Sequence, residues 1–241
     1  METQPLLSSV KDTEQSISLW HKCAACNEFV FKSELEGNFY ICSYCGSLFS
    51  LAVEKRCQHL LDNHDVGLKP DDAAALAGTL AGYPISLFVA KPDAIPTQVH
   101  FETLLAATDT ALKERIPLIT VVSARGTPDE CSDYIGFAET AYVTAEMARL
   151  AAISLPHITV LTETDTVPLT THFPVGELVL AERALAKQNG STLQPALHAP
   201  EEQHLETQTS ENRSAADICV DCYVSRTELP NVLGKLLKFF R

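Results

Sequence analysis

The sequence predicts an α/β protein in which a small zinc ribbon precedes a larger layered core. Three observations predict it. Cys23, Cys26, Cys42 and Cys45 form two C-x-x-C pairs with fifteen residues between Cys26 and Cys42. From Ala73 to Leu197, short apolar runs alternate with helical-period segments, the pattern of βαβ units. The length of 241 residues, 46% apolar and 20% charged, suffices for one sizeable core plus a small module.

The cysteine pairs come first in the chain and carry the firmest chemistry. A C-x-x-C bite lets two thiolates reach one ion from a single tight turn, and two bites complete the tetrahedron that zinc favours. With cysteine at all four positions no ligand place is left for a reactive water, so one structural Zn2+ is expected. A module of this size has too little core to fold unaided, which argues against four unligated thiols.

Met1–Ser18 is polar, lacks the basic–apolar–small order of a secretory leader, and is expected as a flexible tail. Residues 19–52 are expected as the ribbon, with short strands at Phe29–Phe31, Phe39–Ile41 and Leu48–Phe49. Gly46 follows the last ligand, where the knuckle needs a residue tolerant of positive φ. Val53–Asn63 has helical spacing through Val53, Cys57, Leu60 and Leu61. Thr79–Ala90 reads as a hairpin turning at Ala81-Gly82, with Ile85–Ala90 a buried strand. Helices are expected at Val99–Lys113 and Tyr134–Ala152, and strands at Leu118–Val122, His157–Thr162 and, shorter, Leu178–Leu180. Residues 197–216 hold Glu201, Glu202, Glu206 and Glu211 among polar residues and read as a solvated loop. Ile218–Val224 is strand-like and Leu229–Phe240 an amphipathic helix. Residues 53–241 thus form the second domain.

Charge narrows the partners. Eighteen basic against 31 acidic residues give −13, which argues against nucleic acid, since phosphate contacts need clustered Lys and Arg. The ribbon is no exception: Lys22, Lys32, Lys55 and Arg56 are offset by Glu28, Glu34, Glu36 and Glu54. No apolar run approaches a membrane span, so no membrane is expected. Eight cysteines, half of them zinc-spaced, fit a reducing, cytoplasmic compartment.

Several segments together resemble the β subunit of the carboxyltransferase component of acetyl-CoA carboxylase. They are Leu19–Cys23, Leu35–Asn38, Cys42–Gly46, Leu60–Asp62, Gly78–Ile85, Pro117–Ile119, Leu155–Thr162, Gly176–Glu182 and Ala216–Ile218 with the closing helix. The resemblance implies a crotonase-type (ClpP/crotonase) spiral core after the ribbon. It also implies an α-type carboxyltransferase partner subunit and transfer of a carboxyl group from carboxybiotin to acetyl-CoA or a related acyl thioester. Biotin would enter only through a biotin carboxyl carrier; an acyl carrier protein is the other carrier considered.

That chemistry develops negative charge on the thioester oxygen and needs preorganised N–H donors beside it. The family's Ser-Gly-Gly-Ala-Arg turn corresponds here to Ser123-Ala124-Arg125-Gly126-Thr127-Pro128, leaving Arg125 and Gly126 as the candidate remnant oxyanion turn. Two further glycine turns are replaced by Lys91–Thr97 and Glu163–Pro168, and the chain holds only 10 glycines. The substrate-binding residues are unassigned. A catalytically degenerate binding or regulatory subunit is the alternative. Cys219 and Cys222 form a third C-x-x-C, read as two thiols on a buried edge or helix start, with a redox pair or second metal site as the sharper option. Cys57 reads as core filling, and His157 as a packing or capping residue. Asp129 and Glu130 read as helix-start acids, Glu130 with a lesser option of proton transfer. Cys131, Asp165 and His172 carry no assigned role.

Overall fold

A computed structural model describes residues 19–62, 72–92, 97–124, 134–164, 171, 173–184 and 218–240. The ribbon contains β1 (Trp20–Lys22) and β2 (Phe29–Phe31), paired antiparallel, then the short helix α1 (Lys32–Gly37). Phe39-Tyr40 is not a strand. Both residues take left-handed backbone, φ 52° and 59°, because the chain must reverse after α1 to bring Cys42 back beside Cys26. The Tyr40 N–H closes on the Leu35 carbonyl at 2.8 Å, and only Ile41 bridges to Leu48.

Helix α2 (Val53–Leu60) leads into the core. Its six-stranded sheet runs in chain order through β3 (Ala73–Leu80), β4 (Tyr83–Ala90), β5 (Leu118–Ser123), β6 (His157–Thr162), β7 (Leu178–Arg183) and β8 (Cys222–Ser225). The first pair is antiparallel and every later pair parallel. This one-directional stepping is the winding expected of a spiral core. The hairpin turns where predicted: Ala81 and Gly82 both have positive φ, as a two-residue primed turn requires. Both Asp62 carboxylate oxygens accept the turn's N–H groups, from Ala81 and Gly82, at 2.8 Å.

Strand alternation sends successive side chains to opposite faces. Ile85, Leu87, Val89, Ile119, Val121, Ile158 and Val160 pack with α2 and with α5 (Leu229–Phe239). Phe88, Leu118, Val122 and Leu161 pack with α3 (Gln98–Glu114) and α4 (Tyr134–Ala152). The core is therefore three-layered, with a mixed sheet between two helix pairs. On the α3/α4 face a polar trio is buried: Thr120 Oγ1 lies 3.0 Å from both His157 Nε2 and Thr159 Oγ1. His157 thus packs, as expected, and burial lowers its pKa to about 4.

Candidate metal centre and the cleft beside it

Two matching knuckles aim the thiols. The Asn27 N–H bonds the Cys23 carbonyl and the Gly46 N–H the Cys42 carbonyl, both at 2.9 Å. Each turn closes with a left-handed residue, Asn27 at φ 62° and Gly46 at φ 78°. Asparagine does at the first knuckle what glycine does at the second, since both tolerate that region. All four sulfur atoms lie within 4.8 Å of one another. Cys23 Sγ is 3.7 Å from Cys45 Sγ, and Cys26 Sγ is 3.8 Å from Cys42 Sγ. A tetrahedron with Zn–S of about 2.3 Å has edges of about 3.8 Å, so the donor set fits zinc.

The thiols also show why they need a cation. Burial opposes ionisation of Cys23, yet the Ser47 hydroxyl and the Cys26 and Ala25 backbone bring it down to about 6. The Glu28 backbone favours the Cys26 thiolate, but burial and the neighbouring Cys23, Cys45 and Cys42 push it up to about 12. Four thiolates this close repel unless a positive ion sits among them.

The ribbon is fixed to the core by charge. Glu182 on β7 accepts from both Arg56 on α2 and Arg226 after β8. Arg56 Nη1 makes a short bond to Oε1 and Nη2 one of 3.1 Å to Oε2, while Arg226 Nε and Nη2 reach Oε2 at 3.2 and 3.0 Å. All three side chains are at most 2% exposed. The remaining Arg226 nitrogen, Nη1, donates to the ribbon carbonyls of Phe39, Tyr40 and Phe49 at 3.2, 3.3 and 2.9 Å. Burial alone would raise the Glu182 carboxyl; the two guanidiniums outweigh it and hold the group below the usual carboxylate range.

Between the ribbon and the carboxyl ends of the core strands lies a cleft of about 840 Å³. Parallel α/β sheets characteristically bind ligands at that end. Lys22, Ser47 and Ser50 line it from the ribbon, and Glu163, Thr164, Arg183 and Tyr223 from the core. The Arg183 guanidinium sits over the Tyr223 ring, 5.9 Å from its centroid. Two cations, hydroxyl groups and an aromatic face together suit an anionic ligand with a flat group.

The four cysteines are the predicted site residues that the fold brings together. Arg125, Gly126, Asp129, Glu130, Cys131, Asp165 and His172, with residues 1–18 and 197–216, lie outside the described residues. Ser123 and Ala124, which precede the candidate turn, are described: the Ala124 N–H bonds the Thr162 carbonyl at 2.8 Å, so Ala124 and Glu163 leave the sheet at the same carboxyl end of the paired strands β5 and β6. Cys57 is buried as expected, its thiol pushed up to about 11 by burial. Cys219 and Cys222 depart from their reading: both are exposed, not buried, Cys222 opening the edge strand β8 and Cys219 just before it. Sequence reasoning missed Arg226, Glu182, Arg183 and Tyr223. One signal was present: Glu182 directly follows the apolar run Leu178–Ala181, where strand alternation puts its carboxyl on a buried face.

The chain is similar to known proteins in its ribbon and, at low identity, over most of its length. Residues 20–45 match the acetyl-CoA carboxylase zinc finger domain. The chain is 25% identical to the acetyl-coenzyme A carboxylase carboxyl transferase subunit beta of Chloroflexus aggregans, over 92% of this chain and 84% of that one. It is 24% identical to the corresponding subunit of Protochlamydia amoebophila, over 99% and 89%. Among solved structures, the Pseudomonas malonate decarboxylase MdcD–MdcE heterodimer aligns with a TM-score of 0.48 at 19% identity, covering 78% of this chain and 86% of that one. Among the described residues no helix is long and apolar enough to cross a membrane.

Proposed function

The chain is a divergent homologue of the acetyl-CoA carboxylase carboxyltransferase β subunit, and from that premise we propose that it is a carboxyltransferase β-type subunit acting on an acyl thioester with an α-type partner. The observation that carries this reading is the cleft at the carboxyl ends of β6 and β7, where Lys22 and Arg183 supply positive charge and Tyr223 a flat apolar face. Anionic groups of a CoA or carrier-linked thioester would meet the cations, and the turn at Arg125 and Gly126 would donate N–H groups to the thioester oxygen. Cys23, Cys26, Cys42 and Cys45 would hold one structural zinc in the ribbon, residues 19–52, ahead of the core at 53–241. Biotin would take part only on a carrier protein, and the complex would work in the cytoplasm, in fatty acid synthesis.

A second reading, a binding or regulatory subunit without turnover, is favoured by one observation. Glu163, a residue with a full side chain, stands at positive φ where the family carries a glycine turn. Label exchange between malonyl and acetyl thioesters, measured with a co-purified α-type subunit, separates the two. Exchange that Gly126→Val abolishes supports the first reading. Association without exchange selects the second, and a chain that stays monomeric beside every such subunit excludes both.

A further inference from the structure

Ser47 stands just past the second knuckle, after Cys45 and Gly46. Its hydroxyl lies 3.1 Å from Cys23 Sγ of the first knuckle, and its carbonyl accepts the Cys42 N–H of the second at 2.9 Å. One residue therefore fastens the two halves of the thiol cluster to each other. To a thiolate the hydroxyl donates, so the bond suits the cluster in the form that holds a cation.

The same residue faces the cleft. Ser47, Leu48, Phe49 and Ser50 line its ribbon wall, joined by Ala24 and Ala25 from between the first two cysteines. This strip is held at both ends. Ser47 bonds the thiol cluster, and the Phe49 carbonyl accepts from Arg226, whose other nitrogens reach Glu182. Across the cleft, Thr164 Oγ1 donates a short bond to the Glu182 carbonyl, and Arg183 is the next residue of the chain. Both walls are thus tied to Glu182, and the ribbon wall is tied to the metal ligands as well.

Four cysteines fold such a module only when a cation holds them, so the ribbon wall keeps its shape only while the ion is held. A ligand that touches both walls then binds the metal-loaded chain better than the metal-free one. By linkage it must tighten metal binding by the same factor.

We propose that the cleft is a zinc-dependent binding site, in which Ser47 is the positioning residue that links ligand binding along residues 47–50 to zinc held by Cys23, Cys26, Cys42 and Cys45. The inference rests on the thioester reading above and deepens it: the ribbon forms half of the acyl-thioester site, and the bound thioester helps retain the metal.

The test uses the full chain with any co-purifying α-type subunit. Zinc affinity is measured by competition with a chelating dye, with and without saturating acetyl-CoA. Acetyl-CoA affinity is measured by calorimetry on the zinc-loaded and the chelator-treated chain. Acetyl-CoA is expected to tighten zinc binding roughly five- to 150-fold, and zinc removal to weaken acetyl-CoA binding by the same factor. Ser47→Ala, with all four thiolates in place, should weaken zinc about tenfold or more and lose most of the acetyl-CoA effect. Ser47→Thr keeps the hydroxyl and should restore both. A residue that merely filled space would give the opposite order, with the larger threonine the more harmful. Acetyl-CoA binding with unchanged zinc affinity overturns the linkage, and a full effect retained in Ser47→Ala overturns the assignment of Ser47. Should Ser47→Ala fail to load zinc, wild type decides the linkage, and a Ser47→Thr variant without the acetyl-CoA effect overturns the assignment. Absence of acetyl-CoA binding to the zinc-loaded chain overturns the thioester reading and this inference with it.

Discussion

Glu182→Ala should be among the most damaging single changes outside the metal ligands. The carboxylate lies between two guanidiniums, and all three groups are at most 2% exposed. Arg226 would keep its three ribbon carbonyls, but Arg56 would lose the partner of both its ion-pair bonds. Breaking a buried pair by removing one member costs about 3–5 kcal/mol, against a total of about 5–15 kcal/mol for a typical fold. For a domain of this size that is a Tm loss of roughly 6–20 °C. The assay is urea and thermal unfolding by circular dichroism, with a metallochromic dye reporting zinc release. Release should accelerate, because Arg226 loses the anchor that aims it at the ribbon. The double variant Arg56→Met/Glu182→Met removes the cation left with no other partner, Arg56, while Arg226 keeps its ribbon carbonyls, and should recover part of the loss. A Tm within 2 °C of wild type, at a precision of about a degree, or a double variant worse than Glu182→Ala, would refute the reasoning.

Chelating zinc should unfold the ribbon, since binding and folding free energy are coupled in such modules; amide exchange over residues 19–50 should rise while the sheet core stays protected. His157 is buried and neutral with its pKa lowered to about 4, and His59 shifts the same way by burial, also to about 4. Below about pH 6.5 the unfolded chain takes up protons the folded one refuses, so stability is full above that pH and falls towards pH 4. For His157 the loss reaches about 3 kcal/mol, and His157→Gln should flatten the slope of denaturant midpoint against pH. Gly176→Ala would place a Cβ 2.1 Å from the His157 carbonyl oxygen and should cost about 3 kcal/mol or more through backbone displacement, seen as a lowered urea midpoint.

Periodicity disclosed the elements whose burial is one-sided and continuous. Helix α4 and strand β6 fall on the predicted residues, because their apolar spacing leaves one solution. Strand β3 extends back to Ala73, six residues before the expected start, since alanine carries little strand preference and only pairing with β4 reveals the strand. The last strand begins later than its apolar residues suggest. Ile218 and Val220 do pack inward, but regular pairing starts only at Cys222, after Asp221 has bonded Val179 through its own side chain. The thiol cluster was legible because its spacing is the chemistry. The cleft and the buried triad were not, because they join distant residues, Arg56 and Glu182 lying 126 positions apart and Glu182 and Arg226 44 apart, and a lone arginine on an apolar helix stripe reads as a surface residue until its partner is known.

The reach of Arg226 sets a timetable for biogenesis. The carbonyl it grips on Phe49 precedes it by 177 positions, so at roughly 5–20 residues per second the nascent ribbon waits on the order of ten to thirty seconds for its latch. Throughout that interval the ribbon can be metallated and can meet α2 through Phe39 and His59, but it lacks the Arg226 latch. Zinc bound by Cys23, Cys26, Cys42 and Cys45 would therefore hold the ribbon together before its latch exists, since binding and folding free energy are coupled in such modules.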